Sequence, residues 1–366
     1  MKKSLIQLLG TFVTLSSLYF HALNATSTIK IYSNNNSFQN ITSVMERFNI
    51  PFELADSISN SDNLYIIFDV LTIEERKLPK YYIAYQPQDL TVKSLQGEDF
   101  RKLSNAIAVW DFSYENIYKY NTKIHNYIYF PNNYEYIDPA ILSCLLPLNT
   151  LQAYKELLVY SNKNNTDISS HLPTIFYHAV TQNPKIIVEA GVSLGESTHA
   201  FRKALEFCQA QLFGIDTDPN CAQAYKNIKN SEFLSMNDLQ FADYYLKSPY
   251  KDMKLDIVFI DTSHFYRQTL DEIRLFAPLL SERGMLLFHD SNVTPLNNGR
   301  AYLRLNNTIG STNVNNSRGV THAIKEFLSL DFDESKYLNT FCETNGKIWH
   351  VIHYPFCNGL TILQKN

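Results

Sequence analysis

The chain has 366 residues, 45% hydrophobic and 19% charged, which is ample for packed cores and fits two domains of ordinary size. Its formal net charge of −4 offers no basic face to a polyphosphate backbone, so nucleic acid is excluded as a partner on electrostatic grounds. Five scattered cysteines (Cys144, Cys208, Cys221, Cys342, Cys357) show no CxxC or His/Cys zinc spacing, and their odd number argues against a disulfide framework.

Lys2 and Lys3 precede an uncharged, mostly apolar run over residues 4–20, and His21-Ala-Leu-Asn-Ala25 follows. That order of basic, apolar and small residues reads as an export signal over residues 1–25, with an uncleaved anchor and a buried helix as the other readings. The expected location is therefore an exported or N-terminally anchored one, with the cytoplasm left open. Any membrane contact would run only through this segment.

Residues 28–33 (TIKIYS) read as a strand, and 37–48 as a helix with apolar Phe38, Ile41, Val44, Met45 and Phe48 near helical spacing. Apolar runs at 63–69, 81–85 and 106–110 suit strands buried on both faces, with helical segments between them, notably near 100–106. Residues 26–145 are thus expected to form a small α/β domain. Tyr82-Ile-Ala-Tyr-Gln-Pro87, Val109-Trp-Asp-Phe-Ser-Tyr-Glu-Asn-Ile117 and Tyr127-Ile-Tyr-Phe-Pro131 give it a resemblance to the N-terminal half of two-lobed glycosyltransferases, with Ser113 as a helix N-cap. No complete second lobe accompanies it, so the resemblance implies docking or substrate orientation rather than sugar transfer. Residues 132–150 read as a connection, 151–160 as a helix, and 167–173 lead into a helix ending near Val180.

From Lys185 the pattern sharpens. The strand Ile186-Ile-Val188 runs into Glu189-Ala-Gly191-Val-Ser193-Leu-Gly195-Glu196-Ser197-Thr198, followed by a helix. Strand, glycine turn and helix start make a nucleotide-type cradle: glycine lets backbone approach a ligand, and the helix start offers free N–H groups. The spacing is GxxxG, not the GxGxxG of a dinucleotide site, which removes a nicotinamide dehydrogenase from consideration. The next strand, 211–216, ends in Asp216, one helix and one strand beyond the glycines, where a carboxylate meets ribose hydroxyls. Asp218 caps a helix opened by Pro219. Met236, Asn237 and Asp238 follow a short strand at 233–234. Strands at 255–261 and 284–288 end in Asp261 and in His289-Asp290, and His264 lies three residues past Asp261. Strand ends in an open α/β sheet share one crevice, so these four side chains should converge.

Residues 167–294 resemble class I S-adenosylmethionine (SAM)-dependent methyltransferases of the macrolide-sugar O-methyltransferase and cephalosporin-hydroxylase-associated group. The matching text is Val188–Thr198, Gly214-Ile-Asp216, Val258-Phe-Ile-Asp-Thr-Ser-His-Phe-Tyr266 and Leu287-Phe-His-Asp290. A more distant similarity to catechol O-methyltransferases places carboxylates at the same two strand ends. The resemblance implies a Rossmann-like sheet of seven strands, the last antiparallel, over residues 146–366. It implies SAM as cofactor, with Glu189 near the amino acid portion, the Gly191–Ser197 turn around it, and 236–238 gripping adenine. It implies a divalent metal, usually magnesium, on Asp261 and Asp290, with His264 as general base. His289 departs from the pattern, since related enzymes often carry an acid there. A histidine suits magnesium poorly, so His289 is read as a ligand for a softer ion, as an alternative base, or as a sign that no ion is needed.

The expected activity is O-methylation of a hydroxyl on a sugar, glycan or small molecule; a non-catalytic SAM-fold scaffold and a glycan-modifying enzyme with the N-terminal module are the alternatives. An oligomer stays open, as does the route by which SAM would reach an exported enzyme. Residues 291–318 read as a long polar loop of the lid type, 319–327 as a helix, and Asn345-Gly346 as a hairpin turn before a final strand after Asn358-Gly359.

Overall fold

The computed structural model describes residues 28–34, 39–59, 62–86, 90, 95–120, 123–130, 139–164, 166–292 and 319–366. The expected leader and nearly all of the expected lid loop lie outside them. Among the described residues no helix is long and apolar enough to cross a membrane. The chain divides into two compact units between Lys163 and Asn164. The division falls later than the expected 145/146. Residues expected to be connecting chain carry a helix at Pro139–Leu145, and the helix Leu151–Asn164 runs up to the division.

The N-terminal unit is a fully parallel six-stranded sheet in the order β2-β1-β3-β4-β5-β6. The strands are β1 Ile29–Tyr32, β2 Phe52–Leu54, β3 Leu64–Phe68, β4 Tyr81–Gln86, β5 Ala108–Asp111 and β6 Tyr127–Tyr129. Every residue of β3 and β5 is buried, as their unbroken apolar runs require of strands covered on both faces. Ser113 caps the helix Tyr114–Tyr120 by accepting from Asn116 N at 3.2 Å. Asp111 is consumed in the same turn: its Oδ1 accepts from Ser113 N at 2.9 Å, and Asn116 Nδ2 donates to both carboxylate oxygens.

The C-terminal unit holds an eight-stranded sheet in the order β12-β13-β14-β11-β10-β7-β8-β9. Its strands are β7 Ile186–Ala190, β8 Gln211–Asp216, β9 Ser231–Ser235, β10 Leu255–Ile260, β11 Leu280–His289, β12 Leu338–Thr344, β13 Lys347–Tyr354 and β14 Leu360–Lys365. Strands β7 to β11 are mutually parallel, while β11–β14, β14–β13 and β13–β12 are antiparallel. The antiparallel closure was expected; the count was not. The Asn345-Gly346 turn, with φ of 52° and 70°, folds an eighth strand onto the edge. The chain runs outward from β7 through β8 to β9, then returns past β7 to β10 and β11. That reversal between β7 and β10 is the switch point, and open α/β sheets bind ligands at the carboxyl ends of the strands there.

Gly214 in β8 illustrates how this core is closed. A Cβ on Gly214 would stand 2.1–2.4 Å from the ring and hydroxyl of Tyr225, which is itself 6% exposed and cannot retreat. Crossing the strand there lets Tyr225 reach Glu189 of β7, to whose Oε2 its hydroxyl donates at 2.5 Å. Gly214→Ala is therefore expected to cost about 1–3 kcal/mol in urea denaturation, the range for overpacking. Pairing it with Tyr225→Leu should recover part of that loss; strictly additive losses would show that the ring is not the obstacle.

Candidate active site

The turn after β7 is built on left-handed backbone. Gly191, Ser193 and Gly195 have φ of 85°, 46° and 83°. Gly191 is confined by protein rather than by open space: a Cβ there would lie 2.0 Å from the carbonyl oxygen of Asp261. The end of β7 is thereby pressed against the end of β10. Gly195 has a different duty, since its Cβ would meet Ala224 at 2.5 Å, and it then caps the helix α7, Glu196–Ala204.

A cavity of about 450 Å³ opens over this switch point. Gly191 and Ser193 of the turn form one side, and Asp216 and Thr217 after β8 another. Met236, Asn237 and Asp238 line it beyond β9, and Asp261, Thr262, Ser263 and Gln268 complete it. Asp216 braces the turn as well as lining the cavity: Oδ2 accepts from Val192 N and Ser193 N, both at 3.0 Å, and Oδ1 from Asp218 N at 2.9 Å. Burial disfavours its charge, but these backbone donors outweigh that and hold its carboxyl below the usual value. Lone pairs remain on both oxygens for hydroxyl donors.

Four of the expected cofactor residues, Glu189, Gly195, Glu196 and Ser197, do not line the cavity with the rest. Glu189 is fully buried, and its oxygens are taken by Ser197 Oγ at 2.5 Å, Thr198 Oγ1 at 2.9 and 3.0 Å and the Tyr225 hydroxyl. Burial pushes its carboxyl up to about 7, against the pull of those three hydroxyls. Ser197 is spent on that contact, and Glu196 lies on α7 outside the lining. Glu189 thus anchors the turn to α7 from behind.

Beside the cavity, four side chains converge as the strand ends predict. His264, with φ of 58°, turns back so that Nε2 lies 2.8 Å from Asp261 Oδ1 and Nδ1 lies 3.1 Å from Asp290 Oδ2. His289 sits behind them, 1% exposed, with Nδ1 3.2 Å from Asp261 Oδ1 and Nε2 3.1 Å from the Asp167 carbonyl. Both nitrogens of His289 therefore face acceptors, a setting that favours the protonated ring. Burial opposes that charge, but Asp261, helped by Asp290 and Asp167, overrides it and pushes the imidazole up to about 9. His289 as placed is thus engaged on both sides, by Asp261 and by the Asp167 carbonyl. Burial also works against the Asp261 carboxylate, yet His289 and His264 hold its carboxyl far below the usual range.

Asp261, His264 and Asp290 each offer a ligand atom, all within 4.8 Å of one another. Asp290 Oδ1 is buried and has no hydrogen-bond partner among the described residues. One imidazole and two carboxylates with an orphaned oxygen fit a divalent cation of the manganese, iron or zinc type better than magnesium, which prefers an all-oxygen shell. Of the two imidazoles, it is His264 that lies in this group of three.

Gln268, Glu272 and His171 complete the surroundings and escape a reading of the sequence. His171 is fully buried behind His289, with ring centroids 5.8 Å apart, and its Nε2 donates to the carbonyls of Phe356 and Cys357. Gln268 and Glu272 are four apart on the helix α9, Tyr266–Phe276. Two polar side chains on the face that also carries Thr269 and Ile273 were the available signal.

Residues 188–291 match a family described as a methyltransferase domain. No curated protein matches the chain. Among solved structures, the chain is similar to a methyltransferase from Podospora anserina bound to S-adenosylhomocysteine (SAH), at 14% identity over 60% of this chain and 89% of that one, TM-score 0.38. It is also similar to an O-methyltransferase from Bacillus cereus in complex with SAH, at 13% identity, 60% and 91% coverage and TM-score 0.38. An N-methyltransferase from Bradyrhizobium japonicum stands at 15% identity, 56% and 98% coverage and TM-score 0.35. Likenesses this distant fix neither substrate nor mechanism; the weight rests on the family match and on the strand order. The family match makes residues 188–291, which hold the glycine turn and the switch point, a methyltransferase domain within the C-terminal unit. The match lies wholly within residues 164–366 and leaves the glycosyltransferase resemblance of the N-terminal unit without support.

Proposed function

We propose that the protein transfers the methyl group of SAM to a hydroxyl oxygen of a small-molecule or glycan acceptor. The observation that carries this reading is that Asp261 belongs at once to the cavity over the glycine turn and to the His264–Asp290 cluster. A cofactor held in the first would present its methyl group toward the second. In this reading the Gly191–Ser193 turn holds the amino acid portion, Asp216 the ribose hydroxyls, and the 236–238 loop the purine.

The sulfonium is already activated, so alignment supplies much of the rate. The acceptor oxygen forms a bond to the methyl carbon, the carbon–sulfur bond breaks, and SAH leaves as a neutral thioether. The hydroxyl proton passes to His264 when that ring is neutral, and Asp261 and Asp290 stabilise the imidazolium that forms. A divalent ion on Asp261, His264 and Asp290 would instead supply positive charge to the acceptor oxygen. A second, metal-free reading rests on the same contacts: two carboxylates already face two imidazoles, so no ion is needed to hold the four side chains together.

Calorimetry with purified protein decides these points. SAH is expected to bind at micromolar levels, about −8 kcal/mol. Manganese titrated into the SAH complex should bind one per chain, and Asp290→Asn should abolish that step while leaving SAH affinity within about threefold. No SAH binding would defeat the proposal. SAH binding without any manganese heat would select the metal-free reading.

A further inference from the structure

A second pair of carboxyls lies against the cavity wall, and the chemistry above leaves it unused. Glu272 is fully buried and Asp238 is 6% exposed. Gln268 Nε2 donates to Asp238 Oδ1 and to Glu272 Oε1, both at 3.1 Å. Thr262 Oγ1 donates to the same Glu272 oxygen at 2.5 Å, and Ser263 Oγ donates to Gln268 Oε1 at 2.7 Å. The Ser263 contact fixes the amide of Gln268, so its NH₂ faces the carboxyls. The two remaining oxygens, Asp238 Oδ2 and Glu272 Oε2, are buried and have no donor among the described residues. Asp238, Gln268, Thr262 and Ser263 all line the cavity, while Glu272 stands behind them.

Two buried carboxylates bridged by one amide repel strongly when both are ionised; one proton shared between them removes that repulsion. The groups facing Glu272 agree. Burial and then Asp238 push its carboxyl up, and Thr262 and Gln268 pull it back only in part.

We propose that Glu272 is a positioning residue of the cofactor site: it shares one proton with Asp238 and so holds Asp238 in the wall as an acceptor for the exocyclic amino group of a purine. This role rests on the cofactor reading above. It makes adenosine binding sensitive to alkali, because loss of the shared proton leaves two repelling anions and drives Asp238 out of place. It also sets selectivity, since a 6-oxopurine would present an acceptor to an acceptor.

The test uses the full chain and 5′-methylthioadenosine, which carries the adenosine and thioether but no titrating amine or carboxylate of its own. Calorimetry from about pH 7 to about pH 10, with circular dichroism at each pH, should show wild-type affinity falling at least about tenfold while the fold persists. Glu272→Met, which has no proton to share, should bind about tenfold more weakly already at pH 7. Glu272→Gln restores a permanent donor, so it should rescue binding and hold it flat to pH 10. A flat wild-type profile, or an equal fall in Glu272→Gln, overturns this role while leaving the cofactor site standing. Absence of wild-type binding at pH 7 overturns both.

Discussion

Gly191→Ala is expected to abolish SAH binding, with a loss of at least about 100-fold, and to destabilise the C-terminal unit by about 1–3 kcal/mol. The reason is not merely a methyl group in the cofactor's path. The new Cβ would lie 2.0 Å from the Asp261 carbonyl oxygen and 2.6 Å from its carbon, both backbone atoms. Asp261 N is itself tied to Ala190 O at 2.8 Å, so the two strand ends can separate only by breaking the register that brings them together. The φ of 85° adds strain for any side chain. The turn and Asp261 would move together, which disturbs cavity and cluster in one step. Gly346→Ala is the matching control: its φ is 70°, but nothing lies within 4 Å of the added Cβ. It should lower stability slightly and leave binding alone. Undiminished SAH affinity in Gly191→Ala, read by calorimetry, would remove the proposed site.

His264→Ala should reduce turnover by about 10²–10⁴-fold, the range for losing a general base, with SAH affinity within about threefold. Turnover is read as SAH release in the presence of a panel of glycosides and vicinal diols. The separation of the two effects follows from geometry, because His264 faces Asp261 and Asp290 and does not line the cavity. The substitution should also cost about 1–3 kcal/mol of stability near neutral pH, since two partly buried carboxylates lose a shared donor. That loss should shrink as pH falls and the Asp290 carboxyl, which burial pushes up before His264 and His289 pull it back, takes up a proton. Full activity in both His264→Ala and EDTA-treated wild type would eliminate base and metal together and leave alignment as the mechanism.

Much of this molecule is legible without coordinates. The unbroken apolar runs of β3, β5, β7 and β10 mark strands buried on both faces. The turn chemistry of Asn345-Gly346 and the cap at Asp218 are local, so short-range sequence determines them. Asp216, Asp261, His264 and Asp290 could be placed on one edge because strand ends of a parallel sheet share a crevice. What failed was everything that depends on which face of a turn or helix a side chain occupies. Glu189 sits beside the glycines in sequence but points into the packing between β7 and α7, where three hydroxyls surround it. His289 is held between Asp261 and the Asp167 carbonyl, 122 residues away, a partner that no local pattern supplies.

The sequence by itself therefore determined the class of fold, the cradle at Gly191 and the list of residues able to do chemistry, because periodicity, turn preference and strand-end position are local or topological properties. Only the tertiary structure decided what surrounds each of them. Whether an imidazole carries one proton or two, and whether a carboxyl is ionised, depends on acceptors and burial contributed by distant segments. Asp261 between His264 and His289, and Glu272 against Asp238, are settled by such long-range neighbours, and no spacing along the chain encodes them.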